Sequence, residues 1–225
     1  MWYQDAVFYE LPVKAFHDAD GDGVGDFRGL AAKLDHVTEL GATCVWLLPF
    51  YPSPLADDGY DVSDFRDVHP RHGTMADFRA FVEAARARGL KVAAEVAVNH
   101  TSDAHPWFQA ARKAPPGSEA RDFYVWSDTP DRFASASVLY PGARRPNWTW
   151  DGEAKAFYFH RFGPHQPDLN YDNPRVRAEM LKVLRFWAEA GVDALCLSGA
   201  AYLAERDGTP CEHLPETHAA LREFR

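Results

Sequence analysis

The chain has 225 residues, 24 Lys+Arg against 33 Asp+Glu for a formal charge of −9, and 46% hydrophobic residues. That apolar share supports a core and excludes global disorder. The acidic balance, with no Lys/Arg-rich run, excludes nucleic acid or an anionic membrane surface as the main partner.

In chain order, Ala6–Val13 is rich in β-branched and aromatic residues and is predicted as a buried strand. Arg28–Leu40 spaces Leu30, Leu34, Val37 and Leu40 for one helix that Gly41 ends. Thr43–Leu48 is a continuous apolar run closed by Pro49, as in a strand buried on both faces. Thr74 is placed to cap a helix over Met75–Arg88, with Phe78, Phe81, Val82 and Ala85 on its apolar face. Leu90–Val98 reads as a third strand, Arg175–Ala190 as a helix, Val192–Leu197 as a fourth strand, and Pro215–Arg225 as a last helix.

Strands and helices in alternation predict an α/β fold with a parallel sheet. The gap between the third and fourth strands is about 60 residues more than a crossover needs. The surplus, about 101–171, is crowded with Trp, Tyr, Phe, Pro and Gly and is predicted as an inserted subdomain at a strand's C-terminal end. The expected divisions are therefore 1–100, 101–171 and 172–225. A doubly wound sheet would show a Gly-rich phosphate turn after its first strand. Here an acidic loop follows instead.

That loop places Asp18, Asp20 and Asp22 at every second residue, with Asp26 after them and glycines between. Its carboxylates, with a backbone carbonyl such as that of Val24, form a candidate site for a hard cation. It resembles the start of a helix-loop-helix calcium loop, but position twelve is Gly29 rather than a bidentate Glu, so that module is excluded. Calcium is expected, with magnesium open. The other reading is a solvated acidic turn.

No apolar stretch is long enough to span a bilayer, and Met1–Asp5 lacks the basic segment and apolar run of a signal peptide. Cys44, Cys196 and Cys211 have no metal-ligand spacing. A reducing cytoplasm is expected.

The acidic loop, Gly59-Tyr60-Asp61, Val96-Ala97-Val98-Asn99-His100 and Gln166-Pro167-Asp168-Leu169-Asn170 stand in the order found in the α-amylase superfamily, glycoside hydrolase family 13. The Gln-Pro-Asp-Leu-Asn form resembles its oligo-1,6-glucosidase branch. Three longer runs, Trp46–Leu55, Arg121–Asp131 and Leu214–His218, are similar to the trehalose synthases, which isomerise maltose to trehalose. The resemblance runs from Trp2 to the last residue. It implies the N-terminal half of a (β/α)8 barrel, about four βα units, and a maltose- or trehalose-type α-glucoside as ligand.

It also implies that Tyr60 stacks on a glucose, that Asp61 and His100 bond its hydroxyls, and that Gln166 makes a further contact. A second calcium site is implied at the Asn99 and Asp168 side chains, the Tyr202 and Leu203 carbonyls, and Glu205. Ordinary loop hydrogen bonding is the other reading of that set.

The chain departs from the family at the fourth strand. A run similar to Phe-Arg-Leu-Asp-Ala-Val supplies the family's nucleophilic Asp, whereas this chain reads Leu195-Cys196-Leu197-Ser198-Gly199-Ala200. Ser198 occupies the nucleophile position and Cys196 the position of its paired Arg. A serine hydroxyl has no charge to offer an oxocarbenium-like transition state. Losing both partners leaves no buried charge stranded, which would cost roughly 3–5 kcal/mol. Alternation along the strand puts Asp193 on the opposite face, and Cys196 is expected to be inert packing. The family's acid/base residues lie on later strands.

The expectation is a trehalose synthase-like domain that is inactive alone. The alternatives are a calcium-stabilised α-glucoside-binding module without turnover, a truncated fragment that does not fold, and one half of a split enzyme. Open first and fourth strands predict self-association.

Overall fold

The computed structural model describes residues 1–139 and 147–225. Residues 140–146 fall within the predicted insert and lie outside the described residues. The elements are β1 (Phe8–Leu11), α1 (Phe27–Ala32), α2 (Leu34–Glu39), β2 (Cys44–Leu47), α3 (Met75–Ala87), β3 (Lys91–Ala97) and α4 (Pro106–Ala111). There follow β4 (Trp126–Ser127), β5 (Trp148–Asp151), β6 (Ala156–Phe159), α5 (Pro174–Glu189), β7 (Ala194–Ser198) and α6 (Pro215–Phe224).

The four predicted strands form one parallel sheet in the order β1-β2-β3-β7. Cys44 pairs with Phe8 on one side and Lys91 on the other, and Leu47 with Leu11 and Ala94. Neighbours in strict chain order, with no reversal, are what a barrel requires and a doubly wound sheet does not have. The open edges are β1 and β7. No described helix is long and apolar enough to cross a membrane.

Local sequence accounts for most of these elements. In β2, Cys44, Val45 and Leu47 are fully buried, as a strand covered on both faces demands. Thr74 and Asp77 form a capping box at the start of α3, whose buried face is Phe78, Phe81, Val82 and Ala85. The single helix expected over Arg28–Leu40 is instead two, broken at Lys33 (φ −110°, ψ 11°). Lys33 N–H bonds the Leu30 carbonyl and His36 N–H the Lys33 carbonyl, so two tight three-residue turns replace the continuing helix. The break keeps Leu34 and Val37 inside but leaves Leu40, expected on the buried face, 57% exposed at the C-cap.

The described residues gather into two compact units. One comprises Met1–Pro52, Phe65–Val96 and Val183–Cys196. Its core is an aromatic cluster in which Phe50 stacks on Phe78 (5.4 Å, 18°) and meets Phe27 and Trp187 edge-on at 5.3 and 5.0 Å. Trp187 is fully buried, and its indole N–H donates to the Phe65 carbonyl at 2.7 Å.

The other unit comprises Ser53–Asp64, Ala97–Lys182 and Leu197–Arg225. It holds an antiparallel sheet, β4-β6-β5, with Trp148 opposite Phe159 and Trp150 opposite Phe157. Phe133 stacks on Trp148 at 5.8 Å. Asp151 accepts the Glu153 and Ala154 N–H groups and so closes the β5–β6 turn.

Candidate functional site

In the first unit, carboxylate oxygens of Asp18, Asp20 and Asp22 lie within 4.8 Å of one another. Gly21 (φ 83°) and Gly23 (φ 88°) supply the left-handed turns that curl the loop. Asp18 accepts the Gly21 and Gly23 N–H groups at 2.7 and 2.8 Å. Those bonds, Gly23 first, hold its carboxyl below the usual range. Val24, expected to offer its carbonyl, donates its N–H to Asp22. Asp26 stands apart from the three. It is buried, accepts Gly29 N–H at 2.7 Å as the cap of α1, and accepts Ala19 N–H at 2.8 Å. Three converging carboxylates with glycine turns fit a hard divalent ion, and Asp26 serves the loop's frame.

In the second unit, the segment after β3 and the segment carrying the Gln-Pro-Asp-Leu-Asn run are tied together. Leu169 N–H bonds the Asn99 carbonyl, Thr101 N–H bonds the Pro167 carbonyl, and His100 bridges to Asp168. This brings Asn99, His100, Gln166 and Asp168 into one buried group. His100 Nε2 lies 3.2 Å from the Tyr60 carbonyl and 3.2 Å from Gln166 Nε2, and its Nδ1 lies 3.5 Å from Asn99 Nδ2. Burial pushes its pKa down to about 4, so the ring is neutral at pH 7. A carbonyl can only accept, so Nε2 carries the proton and donates to Tyr60, while Nδ1 faces the Asn99 amide N–H. Gln166 Nε2 donates to Asp57 Oδ2 at 2.8 Å. Asp61 is fully buried, and it accepts Ser53 Oγ–H and the Ala56 and Asp57 N–H groups, closing its own loop.

Asn99 Oδ1, Asp168 Oδ2 and Glu205 Oε1 are all buried and lack hydrogen-bond partners. Burial pushes the Asp168 carboxyl up to about 8, opposed by the Arg161 N–H at 3.0 Å and by the Asn99 side-chain amide. Burial, then the Asp168 charge, raises Glu205 well above the carboxylate range. Acceptor atoms without donors are what a cation satisfies, and oxygen-only donors suit calcium. Tyr202 ends a short 3-10 turn over Ala200–Tyr202, and Leu203 caps it, two residues before Glu205.

The end of the fourth barrel strand offers no carboxylate. Ser198 closes β7, its carbonyl accepting Val98 N–H at 3.1 Å. Gly199 follows at φ 71°, where a Cβ would come within 2.8 Å of the Asn99 Cβ. Burial, with the Glu95 and Glu10 charges, pushes the Cys196 thiol up to about 11, so it stays protonated. Asp193 is committed elsewhere, accepting Lys91 Nζ at 2.8 Å and Val92 N–H at 3.0 Å.

Sequence reasoning passed over two residues of this group. Asp57 orients Gln166. Arg161, 1% exposed, lies 4.7 Å over the Tyr202 ring and bonds Ser137 Oγ, the Pro210 carbonyl and the Glu212 carboxylate. Its signal was a charge embedded in the apolar run Ala156–Phe162, where a buried cation needs partners.

Against known proteins, residues 11–224 match the family model described as alpha amylase, catalytic domain. The chain is 52% identical over 224 residues to the trehalose synthase/amylase TreS of Mycolicibacterium smegmatis, covering all of this chain and 38% of that protein. It is 52% identical over 225 residues to the trehalose synthase of Thermus thermophilus, covering 23% of it. It is 42% identical to the oligo-1,6-glucosidase of Parageobacillus thermoglucosidasius, over 86% of this chain and 34% of that one. Among solved structures, the trehalulose synthase MutB from Pseudomonas mesoacidophila superposes with a TM-score of 0.88 at 35% identity, covering the whole of this chain and 42% of MutB. One MutB variant of the same TM-score was solved in complex with glucose. The chain thus spans 23–38% of the length of these curated relatives and corresponds to the N-terminal part of a (β/α)8 barrel. By the matched residues and the barrel order of its sheet, the chain belongs to the α-amylase family, glycoside hydrolase family 13, as a trehalose synthase-like domain.

Proposed function

We propose that this chain binds one glucosyl unit of a maltose- or trehalose-type disaccharide through Tyr60, Asp61, His100 and Gln166, and that alone it does not transfer it. The carrying observation is the neutral, buried His100, held between the Tyr60 carbonyl and the Asn99 amide at the end of β3, with Gln166 beside it. A neutral imidazole and a primary amide are hydroxyl-recognising groups with no proton to give at pH 7. Retaining transfer needs a carboxylate nucleophile about 5 Å from an acid/base carboxyl. Ser198 at that position is neutral, the Cys196 thiol is protonated, and Asp193 is bonded to β3.

A calcium ion would be held by Asn99, Asp168 and Glu205 with the Tyr202 and Leu203 carbonyls. When bound it would supply positive charge that balances the two buried carboxylates. A second ion, calcium or magnesium, would sit among Asp18, Asp20 and Asp22. Three free cysteines support a reducing, cytoplasmic setting.

The test is calorimetric titration of the folded chain with maltose in calcium, with trehalose and glucose followed by NMR. Saturable binding that His100→Ala weakens at least ten-fold, without product, is expected. A folded chain with no binding heat overturns the binding reading. Glucose or trehalose release overturns the inactivity.

The edge strand β1 favours one further association. Val7 and Phe8 are 54% and 39% exposed there, beside Trp2 and Tyr3 at 39% and 50%. Such an edge promotes pairing with a second copy, which sedimentation velocity would show as concentration-dependent mass.

A further inference from the structure

Within the second unit, Glu205 belongs both to the buried oxygen trio and to the wall of a solvent-open cavity of about 770 Å3. None of the sugar-site residues Tyr60, Asp61, His100 and Gln166 lines that cavity. Its wall carries five carboxylates, Asp122, Asp128, Asp172, Asp207 and Glu205, against three guanidinium groups, Arg121, Arg132 and Arg206. The cations are engaged. Arg206 grips Asp172 at 2.8 and 3.0 Å and Glu216 at 3.0 Å, Arg132 reaches Asp207 at 3.3 Å, and Arg121 bonds the Ala111 and Ala154 carbonyls. Asp122 and Asp128 are exposed around the cavity.

The lining also says what the cavity is not. The Trp126 ring has Arg121 at 4.0 Å on it and stacks with Phe108, while the Phe133 ring has Arg132 at 4.6 Å and stacks with Trp148. No open aromatic face is left on those two rings to stack on a sugar or a base. A small hydrated cation is the ligand that an acidic, aromatic-closed cavity suits when one of its wall residues, Glu205, also carries a buried, unpartnered carboxylate oxygen.

We propose that this cavity is the route by which a divalent cation enters and leaves the Asn99–Asp168–Glu205 site, separate from the sugar side. The inference rests on the cation reading of that trio. Steering makes the entry rate depend on the wall charges. Removing one unit charge about 10 Å from the path of a trivalent probe changes its on-rate about five-fold at 10 mM salt, and less than about two-fold at 0.5 M.

The test is stopped-flow luminescence of Tb3+, sensitised by Tyr124 and Trp126, in an Asp20→Asn, Asp22→Asn background that silences the acidic loop. Asp122→Asn with Asp128→Asn is expected to slow association about ten-fold or more. Arg132→Gln, at a half-exposed position, is expected to speed it about five-fold. Both effects should fade at high salt, and saturating maltose should leave the rates unchanged. Unchanged rates, or variants that shift the rate in the same direction, would overturn the route while leaving the cation site standing. No Tb3+ signal that Asp168→Asn abolishes would overturn the site and the route together.

Discussion

Asp168→Asn is expected to raise the melting temperature in chelator and to lower it in calcium. In chelator at pH 7 the fully buried wild-type carboxyl, pushed up to about 8, carries a proton that the unfolded chain gives up near 3.8. At about 1.4 kcal/mol per unit, that uptake costs the fold about 4 kcal/mol as an upper bound. The amide removes the uptake. Its N–H2 also replaces an unpartnered acceptor with a donor beside Asn99 Oδ1 and Glu205 Oε1, which have none. A gain of about 2–4 kcal/mol corresponds to roughly 5–15 °C for a chain of this length. With calcium, the variant lacks an anionic ligand, and a hundred-fold loss of affinity removes about 2.7 kcal/mol of linked stability. The assay is a near-ultraviolet circular dichroism melt of both proteins, in chelator and in millimolar calcium. A melting temperature that falls equally in both buffers would refute the reasoning, because Asp168 would then be a satisfied structural carboxylate.

The same shift gives a pH dependence whose sign follows from proton counts. With a folded value of about 8 and an unfolded one near 3.8, the native state holds the extra proton, so Asp168 withdraws stability as pH rises through this window. His100 and His72, both held down to about 4 by burial, act oppositely between about 4 and 6.5, since there the unfolded chain binds more protons. Denaturation in chelator should therefore show stability falling from about pH 6.5 to about pH 8, and calcium should flatten that fall. Trp187→Ala should destabilise by about 3–5 kcal/mol, measured by urea unfolding, since it opens the aromatic core and leaves the Phe65 carbonyl without its donor. A loss under 1 kcal/mol would contradict that packing. Cys196, with its thiol at about 11, should react with iodoacetamide at pH 8 about a hundred times more slowly than an unperturbed thiol. Fast labelling at Cys196, mapped by mass spectrometry, would restore it as a nucleophile.

The sheet was legible because its strands are apolar on both faces. Thr43–Leu48 leaves no other reading, and observed Cys44–Leu47 lies inside it. The helix over Met75–Arg88 was equally clear from Thr74 and its apolar stripe. The break at Lys33 was not, since Leu30, Leu34 and Val37 keep helical spacing across it and only the backbone turns reveal it. The β5–β6 hairpin carried a period-two signal in Trp148-Thr149-Trp150 and Phe157-Tyr158-Phe159, hidden by the density of aromatic residues around it. At the candidate site, motifs named His100, Gln166 and Asp168, but spacing alone does not tell which carboxylates share a loop. Asp18, Asp20 and Asp22 cluster while Asp26 caps a helix, a division set by the glycine turns and by the start of α1.

The aromatic core has a consequence in time. It is assembled from Phe27, Phe50 and Phe78 with Trp187, and that unit is discontinuous, missing about ninety residues between Val96 and Val183. During synthesis at about 5–20 residues per second, the nascent chain waits roughly 5–20 s between completing β3 and delivering Trp187 and β7. Through that interval β3, at seven residues the longest strand of the sheet and buried from Val92 to Ala97, has no neighbour on its far side. Residues 97–182, which belong to the other unit, are translated in the gap, so the ribosome presents a bare strand edge and an unfinished core together. Slowing translation between codons 97 and 183 lengthens this exposure, and chaperone demand at the ribosome should rise with it.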